Sequence, residues 1–472
     1  MNNLAKNSAL ARILSLLDNG SFVELGAAIK ARANVSYLNK EKTLADGVIA
    51  GYGLANGRLV YIYSQDSSVS GGAIGEMHSK KITQLYDMAM KMGAPIIGII
   101  DCSGLRLLEG HDALHGLGSI YQKQVMASGI IPQFTLIMGN CGGGVSMIPS
   151  LSDFTFVEAK KGSLFLQSPD TIPGNSRGKC NTAGADWRSH HTKNVDFCGT
   201  EEEIYSKVLK LLEILPSNNR FDIITDECGD ELNRLCDGIS DVSKDTAQVL
   251  SILGDNYHFI EVKEHYAKEI TTGFIRLNGI CIGCVANRSL SQEEVLTTTL
   301  TSAAMLKAAD FIKYCDAFHI PLLTLCNTTG FESSFETEVS FCDSCASMIS
   351  AYASASIPKV TVVMDYAMGS AGTIMGSKSL GADLLYTWEH AKIGPMDSIQ
   401  AARILYEGES ASVIKEKAKE YDALQNSAIF AASRGYADAI ITPEQTRKYL
   451  ISAFEMLATK QEDKLFKKHT SI

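Results

Sequence analysis

Apolar residues recur along this chain in two rhythms. Ile82, Leu85, Tyr86, Ala89 and Met92 fall at i, i+3, i+4, i+7 and i+10, the stripe of one helix face. Directly after it, PIIGII starts at Pro95. It is a short, unbroken apolar run, as expected of a strand covered on both faces. The rhythm then repeats. Pro321, Gly330, Pro358 and Gly369 each stand 226 residues beyond Pro95, Gly104, Pro132 and Gly143. The helical stripe keeps that register as Ala308, Phe311, Ile312, Cys315 and Phe318. A slip of one residue would break these matches, so the chain reads as two homologous halves, 1–222 and 223–472. Pro216, Ser217, Asn218 and Asn219 read as a turn or linker between them. Two halves also suit 472 residues, too many for one ordinary domain. In each half, strands alternate with helices and glycine turns. That order implies βαβ units, mostly parallel pairing and the α/β class.

Composition narrows the function. Hydrophobic residues make up 45% and charged residues 20%, an ordinary globular mix. A net charge of −10 argues against nucleic-acid binding, which needs a basic footprint. No apolar run approaches the roughly 20 residues of a membrane helix, so no membrane insertion is expected. MNNLAKNSALARILSLLDNG lacks the features of a secretory signal. Twelve scattered cysteines suggest reduced thiols in the cytoplasm. Of two CxxC pairs, Cys281/Cys284 lies in a strand-like segment, where i and i+3 face opposite sides. The other is Cys342/Cys345, and His190-His191 reads as a polar loop. No metal site is expected.

The glycine turns are the candidates for chemistry. Gly139-Asn140-Cys141-Gly142-Gly143-Gly144 closes one strand, with a helix expected after it, and Met368-Gly369-Ser370-Ala371-Gly372 stands at the equivalent place. Such turns let a ligand approach backbone amides closely, which is how a backbone oxyanion hole is built. They are also simple strand-to-helix connections when considered one at a time. Gly71, Gly72 and Gly75 open another helix, with Lys80 and Lys81 beyond. That pattern suits either a phosphate-bearing ligand or a plain helix start. Arg106 stands just past a strand end beside Gly104. It can pair with a phosphate or carboxylate, or bridge to Glu109. The GxGxxG, Walker A and GxSxG patterns do not occur at these turns.

In order along nearly the whole chain, ARILSLLDNGSFVE, DGVIAGYGLANGRLVYIYSQDSSVSGGAIGEMHSKKI, GAPIIGIIDCSGLRLLEG, ASGIIPQFTLIMGNCGGG, LPSNNR, AADFIKYCDAFHIPLLTL, SIPKVTVVM and MGSKSLGADLLYTW resemble the carboxyltransferase subunits of biotin-dependent acyl-CoA carboxylases, the propionyl-CoA carboxylase β-chain type. The related subunits of glutaconyl-CoA and methylmalonyl-CoA decarboxylases share the pattern. The resemblance implies two tandem crotonase-like domains built on a ββα superhelix, the first acyl-CoA-binding and the second biotin-side. It implies transfer of a carboxyl group between carboxybiotin and the α-carbon of a short acyl-CoA, of the propionyl or acetyl class. By position, the resemblance gives Gly143 and Gly144 as the amide pair for the enolate oxygen, and Ser370 and Ala371 as the pair for the biotin ureido oxygen. Gly71, Gly72, Ala73, Gly104, Arg106, Gly369 and Thr373 are the binding residues that go with them. The implied partners are acyl-CoA, a biotin carboxyl carrier protein, a biotin carboxylase or decarboxylase subunit, and further copies of this chain in a dimer-based hexamer. No Met-Lys-Met biotinylation site set in a β-domain is present, so biotin is expected on a separate carrier.

The departures from the family pattern fall mostly in the second half. The family's Gly-Gly-Ala-Tyr stands here as Gly369-Ser370-Ala371-Gly372, without the tyrosine. Its Arg-His-Gly-Ala-Lys stands as Asp343-Ser344-Cys345-Ala346-Ser347. Carboxyl transfer, the same half-reaction reversed in a decarboxylase, and a non-catalytic CoA-binding paralogue are the three readings these departures leave.

Overall fold

The computed structural model describes residues 8–31, 45–220, 228–291 and 294–462. The chain divides into two compact units, Met1–Asp222 and Ile223–Ile472; residues 221–227, at the division itself, lie outside the described part.

In the first unit, the strands lie in the spatial order Val23–Leu25, Val48–Ala55, Arg58–Gln65, Ile96–Cys102, Gln133–Gly142, Phe154–Glu158 and Phe197–Gly199, with Ser163–Phe165 pairing beside Gln133–Gly142. Pairing is antiparallel up to Arg58–Gln65 and parallel beyond it. In the second unit, Phe259–Val262, Ile270–Leu277, Ile280–Asn287, Leu322–Thr328, Lys359–Met368, Leu384–Trp388 and Ala439–Ile441 keep the same plan, with Lys392–Gly394 beside Lys359–Met368. The register repeats as well. Ile96 pairs with Gln133, and 226 residues on, Leu322 pairs with Lys359.

The helical stripes land where the periodicity predicts, on Glu76–Met92 and Ser302–Ala317. Ile82, Leu85, Tyr86 and Ala89 are buried against the first sheet. Met92 is a correction: at 61% exposure it lies past the packed face, where Gly93 turns left-handed and ends the helix. In the second half the whole stripe is buried, Phe318 included. Asn218 is no free linker residue. Its side-chain amide donates to the Gly93 carbonyl at 2.6 Å and ties the end of the unit to that helix.

Candidate active site

The first glycine turn grows from a strand that runs out at Gly142. Gly143 adopts φ +60, a conformation L side chains avoid. In place of the expected α-helix, two short 3-10 turns succeed it, Gly143–Met147 and Pro149–Leu151. Two glycines favour helix weakly, and Pro149 cannot donate to a helical ladder. Gly144 is fixed by crowding, since a Cβ there would stand 2.9 Å from Leu117 Cδ2 and 3.3 Å from the Tyr121 hydroxyl oxygen. That hydroxyl donates to the Gly144 carbonyl, and Ser146 Oγ donates to the Gly143 carbonyl at 2.7 Å. The Gly143–Gly144 and Gly144–Val145 peptide planes are therefore held from their carbonyl side. Tyr121 does not stand out in the sequence, although Leu117, Tyr121 and Gln124 share the i, i+4, i+7 spacing of a helix face.

The second turn repeats the backbone conformation, with Gly369 at φ +59. Here a short α-helix does form, Gly369–Ile374. Positive φ and the 226-residue offset make Gly369 the counterpart of Gly143, and Ser370 that of Gly144. Ala371, buried, then corresponds to Val145. The positions equivalent to Leu117 and Tyr121 are Asp343 and the much shorter Ser347, the latter in keeping with a side chain at 370. Ser370 is exposed, and Thr373, exposed too, donates Oγ1 to the Gly369 carbonyl at 3.3 Å. Gly369, Ser370, Gly372 and Thr373 line a cavity of about 720 Å³ within this unit, a volume suited to small-molecule ligands. A Cβ at Gly372 would stand 2.4 Å from the carbonyl carbon of Ala367. Gly372→Ala must therefore displace the short helix from its strand. It is expected to lower stability by about 1–3 kcal/mol, read from urea unfolding of the full chain.

The remaining candidates cluster in the first unit. Gly71 and Gly72 take positive φ and Gly104 φ 122. Gly72 has no room for a Cβ, which would stand 2.1 Å from the Asp101 carbonyl. The Ser103 amide donates to the Gly71 carbonyl at 3.0 Å, and the Ile74 amide donates to the Gly104 carbonyl at 2.9 Å. The structure thus brings Gly71, Gly72, Ala73 and Gly104 side by side. Arg106 takes the internal alternative. It is buried, donates to Asp46 Oδ1 at 2.5 Å and Glu109 Oε1 at 2.7 Å, and reaches the Ala73 carbonyl at 3.2 Å. Its guanidinium holds the Gly71–Ala73 segment in place and is not presented to a ligand. Gly75 is the N-cap residue of Glu76–Met92, whose first amide donates to Glu109 Oε2 at 2.6 Å.

His78 belongs to this network. Its backbone amide donates to Asp46 Oδ2 at 2.8 Å, and its ring lies between the Asp46 carbonyl at 3.0 Å and the Gln65 side chain at 3.2 Å. Burial, then the Arg106 charge, push its pKa down to about 3 from 6.5. Between those values the unfolded chain binds a proton that the folded chain refuses. The contribution of neutral His78 is therefore complete above pH 6.5 and is lost as pH falls toward 3. His78→Gln is expected to show a shallower fall in urea midpoint over that window than the parent.

The two halves share a further feature, a buried lysine. Lys81 is buried and donates to the Ala45 and Val48 carbonyls. Lys307 stands 226 residues on and donates to the carbonyls of Lys263, Tyr266, Ala267 and Ile270. Burial lowers the pKa of each to about 8. Lysine at that position of a helical pattern is a sign of duplication, obscured in the sequence by the resemblance of Lys80-Lys81 to a phosphate site. Lys80 itself is exposed and pairs with Glu76 at 3.1 Å. His190 and His191 end the helix Ala185–His191 and are not in a loop; their Nδ1 atoms lie 2.8 and 2.9 Å from the Asp186 and Trp187 carbonyls. Among the described residues, no group of three or more His, Cys, Asp or Glu is arranged to hold a metal. All twelve cysteines are unpaired. No described helix is long and apolar enough to cross a membrane.

The family model described as the carboxyl transferase domain matches residues 2–472. The chain belongs to the carboxyl transferase family. This carboxyl transferase is 40% identical over 485 residues to a putative propionyl-CoA carboxylase beta chain of Bacillus subtilis, covering 99% of this chain and 94% of that one. It is 36% identical to the methylmalonyl-CoA decarboxylase subunit alpha of Veillonella parvula, covering 99% and 93%. Its structure superposes on that of the transcarboxylase 12S hexamer bearing hydrolyzed methylmalonyl-coenzyme A with a TM-score of 0.92 at 33% identity, covering 99% of this chain and 92% of that one. The carboxyl transferase thus has the crotonase-like fold that the resemblance implied.

Proposed function

We infer that this chain is the carboxyltransferase component of a biotin-dependent system acting on an acyl-CoA. The observation that supports this reading best is the repeated glycine turn. Gly143 at φ +60 and Gly369 at φ +59 open equivalent amide sites in two units of one fold. Acyl-group carboxylation develops negative charge on two oxygens, one on each substrate, and two amide sites meet that need without a side-chain nucleophile. The first amides of a helical turn have no intrahelical acceptor and are free to donate.

In the first unit, the Gly143 and Gly144 amides hold the thioester oxygen as the α-carbon becomes nucleophilic. Ser146, through the Gly143 carbonyl, orients the peptide that carries the Gly144 amide, and Tyr121 fixes the next peptide through the Gly144 carbonyl. The Gly71–Ala73 segment and Gly104 form the adjoining wall for the acyl-CoA, braced by Arg106 from behind. In the second unit, the Ser370 and Ala371 amides receive the ureido oxygen of biotin, with Gly369 and Thr373 at the cavity wall. An amide-edged cavity of about 720 Å³ has room for that group. Carboxybiotin, borne on a separate carrier protein, supplies the carboxyl group. Propionyl-CoA and methylmalonyl-CoA are the first thioesters to test, in an oligomeric assembly like that of the 12S hexamer.

The decarboxylase relative supports running the same half-reaction in reverse, with direction set by partner subunits. The test for either direction is loss of methylmalonyl-CoA in the presence of free biotin and purified full chain. Biotin-dependent loss is expected. Thioester binding without biotin-dependent loss would instead identify a CoA-binding paralogue without carboxyl transfer.

A further inference from the structure

The sequence holds two CxxC pairs, and the carboxyltransferase reading uses neither. The structure gives them different surroundings. Cys281 and Cys284 are buried on the strand Ile280–Asn287, where residues three apart face opposite sides. Cys342 and Cys345 lie on the helix Phe335–Ser354. Residues three apart on a helix are surface neighbours, with about 5–6 Å between their Cβ atoms, so these two thiols can close on one ion. They already interact: burial first, and then the Cys342 thiol, raise the Cys345 pKa to about 11. A third sulfur completes the group. The Cys345 thiol donates to Met305 Sδ at 3.5 Å, and Met305 is fully buried on the helix Ser302–Ala317. Two sulfurs held by one ion through bonds of about 2.3 Å stand no more than about 4.6 Å apart, so this pair needs little movement. Burial deepens from exposed Cys342 through half-buried Cys345 to Met305, which gives an ion a way in from solvent.

The donor set points to the ion. A structural zinc site takes four ligands from Cys, His, Asp and Glu, and among the described residues no three such groups are arranged for a metal. Two thiolates and a thioether are all soft donors, a set that suits monovalent copper. We propose that Cys342, Cys345 and Met305 form a three-sulfur site for a monovalent copper ion. Binding is a ligand exchange without a redox step. Copper stays monovalent and leaves its previous ligands, two bonds to thiolate and one to thioether form, and the two thiol protons pass to solvent.

The experiment is an anaerobic competition between the fully reduced full chain and a chromophoric copper(I) chelator, read from the chelator's absorbance. The chain is expected to withdraw one copper ion per molecule. Cys342→Ser, at an exposed position, should weaken binding by about 100-fold or more, and Met305→Leu, close in volume, by about tenfold. X-ray absorption at the copper edge should count three sulfur neighbours in the parent and two in Met305→Leu. Failure to withdraw copper, or equal affinity in the parent and Cys342→Ser, overturns the proposal. An unchanged affinity and sulfur count in Met305→Leu overturns the three-sulfur assignment. Neither readout involves turnover, so loss of the carboxyltransferase reading would leave this site standing, and the reverse holds as well.

Discussion

Gly143→Pro lowers biotin-dependent turnover of methylmalonyl-CoA by about 10²–10³, the loss expected on removal of one oxyanion-hole donor. Proline has no amide hydrogen and fixes φ near −65, whereas Gly143 sits at +60. The substitution therefore deletes the donor and misdirects the turn. Gly143→Ala separates these effects. A Cβ at 143 meets nothing within 4 Å, so alanine keeps the amide and bears only the left-handed strain, about 1–2 kcal/mol. The expected order of turnover is parent, then alanine, then proline by a wide margin, with circular dichroism confirming that all three fold. Full activity in Gly143→Pro would remove this amide from the mechanism.

Arg106→Met costs about 3–5 kcal/mol of folding stability, because it leaves buried carboxylates without their counter-charge. The Arg106 side chain is 4% exposed and that of Asp46 0%. Burial already pushes the Asp46 carboxyl upward, against the pull of Arg106. Adding Asp46→Asn to Arg106→Met should recover part of the loss, since the stranded charge goes with it. Urea unfolding of the two single variants and the double variant measures the coupling. A variant of parental stability that has lost acyl-CoA binding would return Arg106 to the ligand-binding role that its place at a strand end suggested.

The contrast between these residues shows what the sequence made legible. Duplication was readable because a buried parallel strand needs an unbroken apolar run and a turn needs its glycine. Those two demands left Pro95, Gly104, Pro132 and Gly143 matched at one offset. The glycine turns were readable for the same reason: φ near +60 at Gly143 and Gly369 restricts the residue. The length of the helix after the first turn was not, because Pro149 and the glycine pair weigh against propensity through local geometry that only the fold reveals. Arg106 was ambiguous because a cation at a strand end serves a ligand or a neighbouring carboxylate equally well, and Asp46 lies 60 residues away in sequence. Lys81 and Lys307 were hidden for a related reason. A lysine on a helix face reads as solvated until the loop carbonyls that surround it are in place. The cavity beside Gly369 draws its wall from segments as distant as Cys326 and Tyr436, a grouping that spacing along the chain does not display.

If amides of the two glycine turns hold the two developing oxyanions, a crystal structure of the full chain with a non-hydrolysable propionyl-CoA analogue and free biotin will show it most directly. The acyl oxygen is predicted about 2.7–3.1 Å from the Gly143 and Gly144 amides, and the biotin ureido oxygen equally close to those of Ser370 and Ala371. An acyl oxygen directed away from the Gly143 turn, or biotin bound outside the Gly369–Thr373 wall, would contradict it.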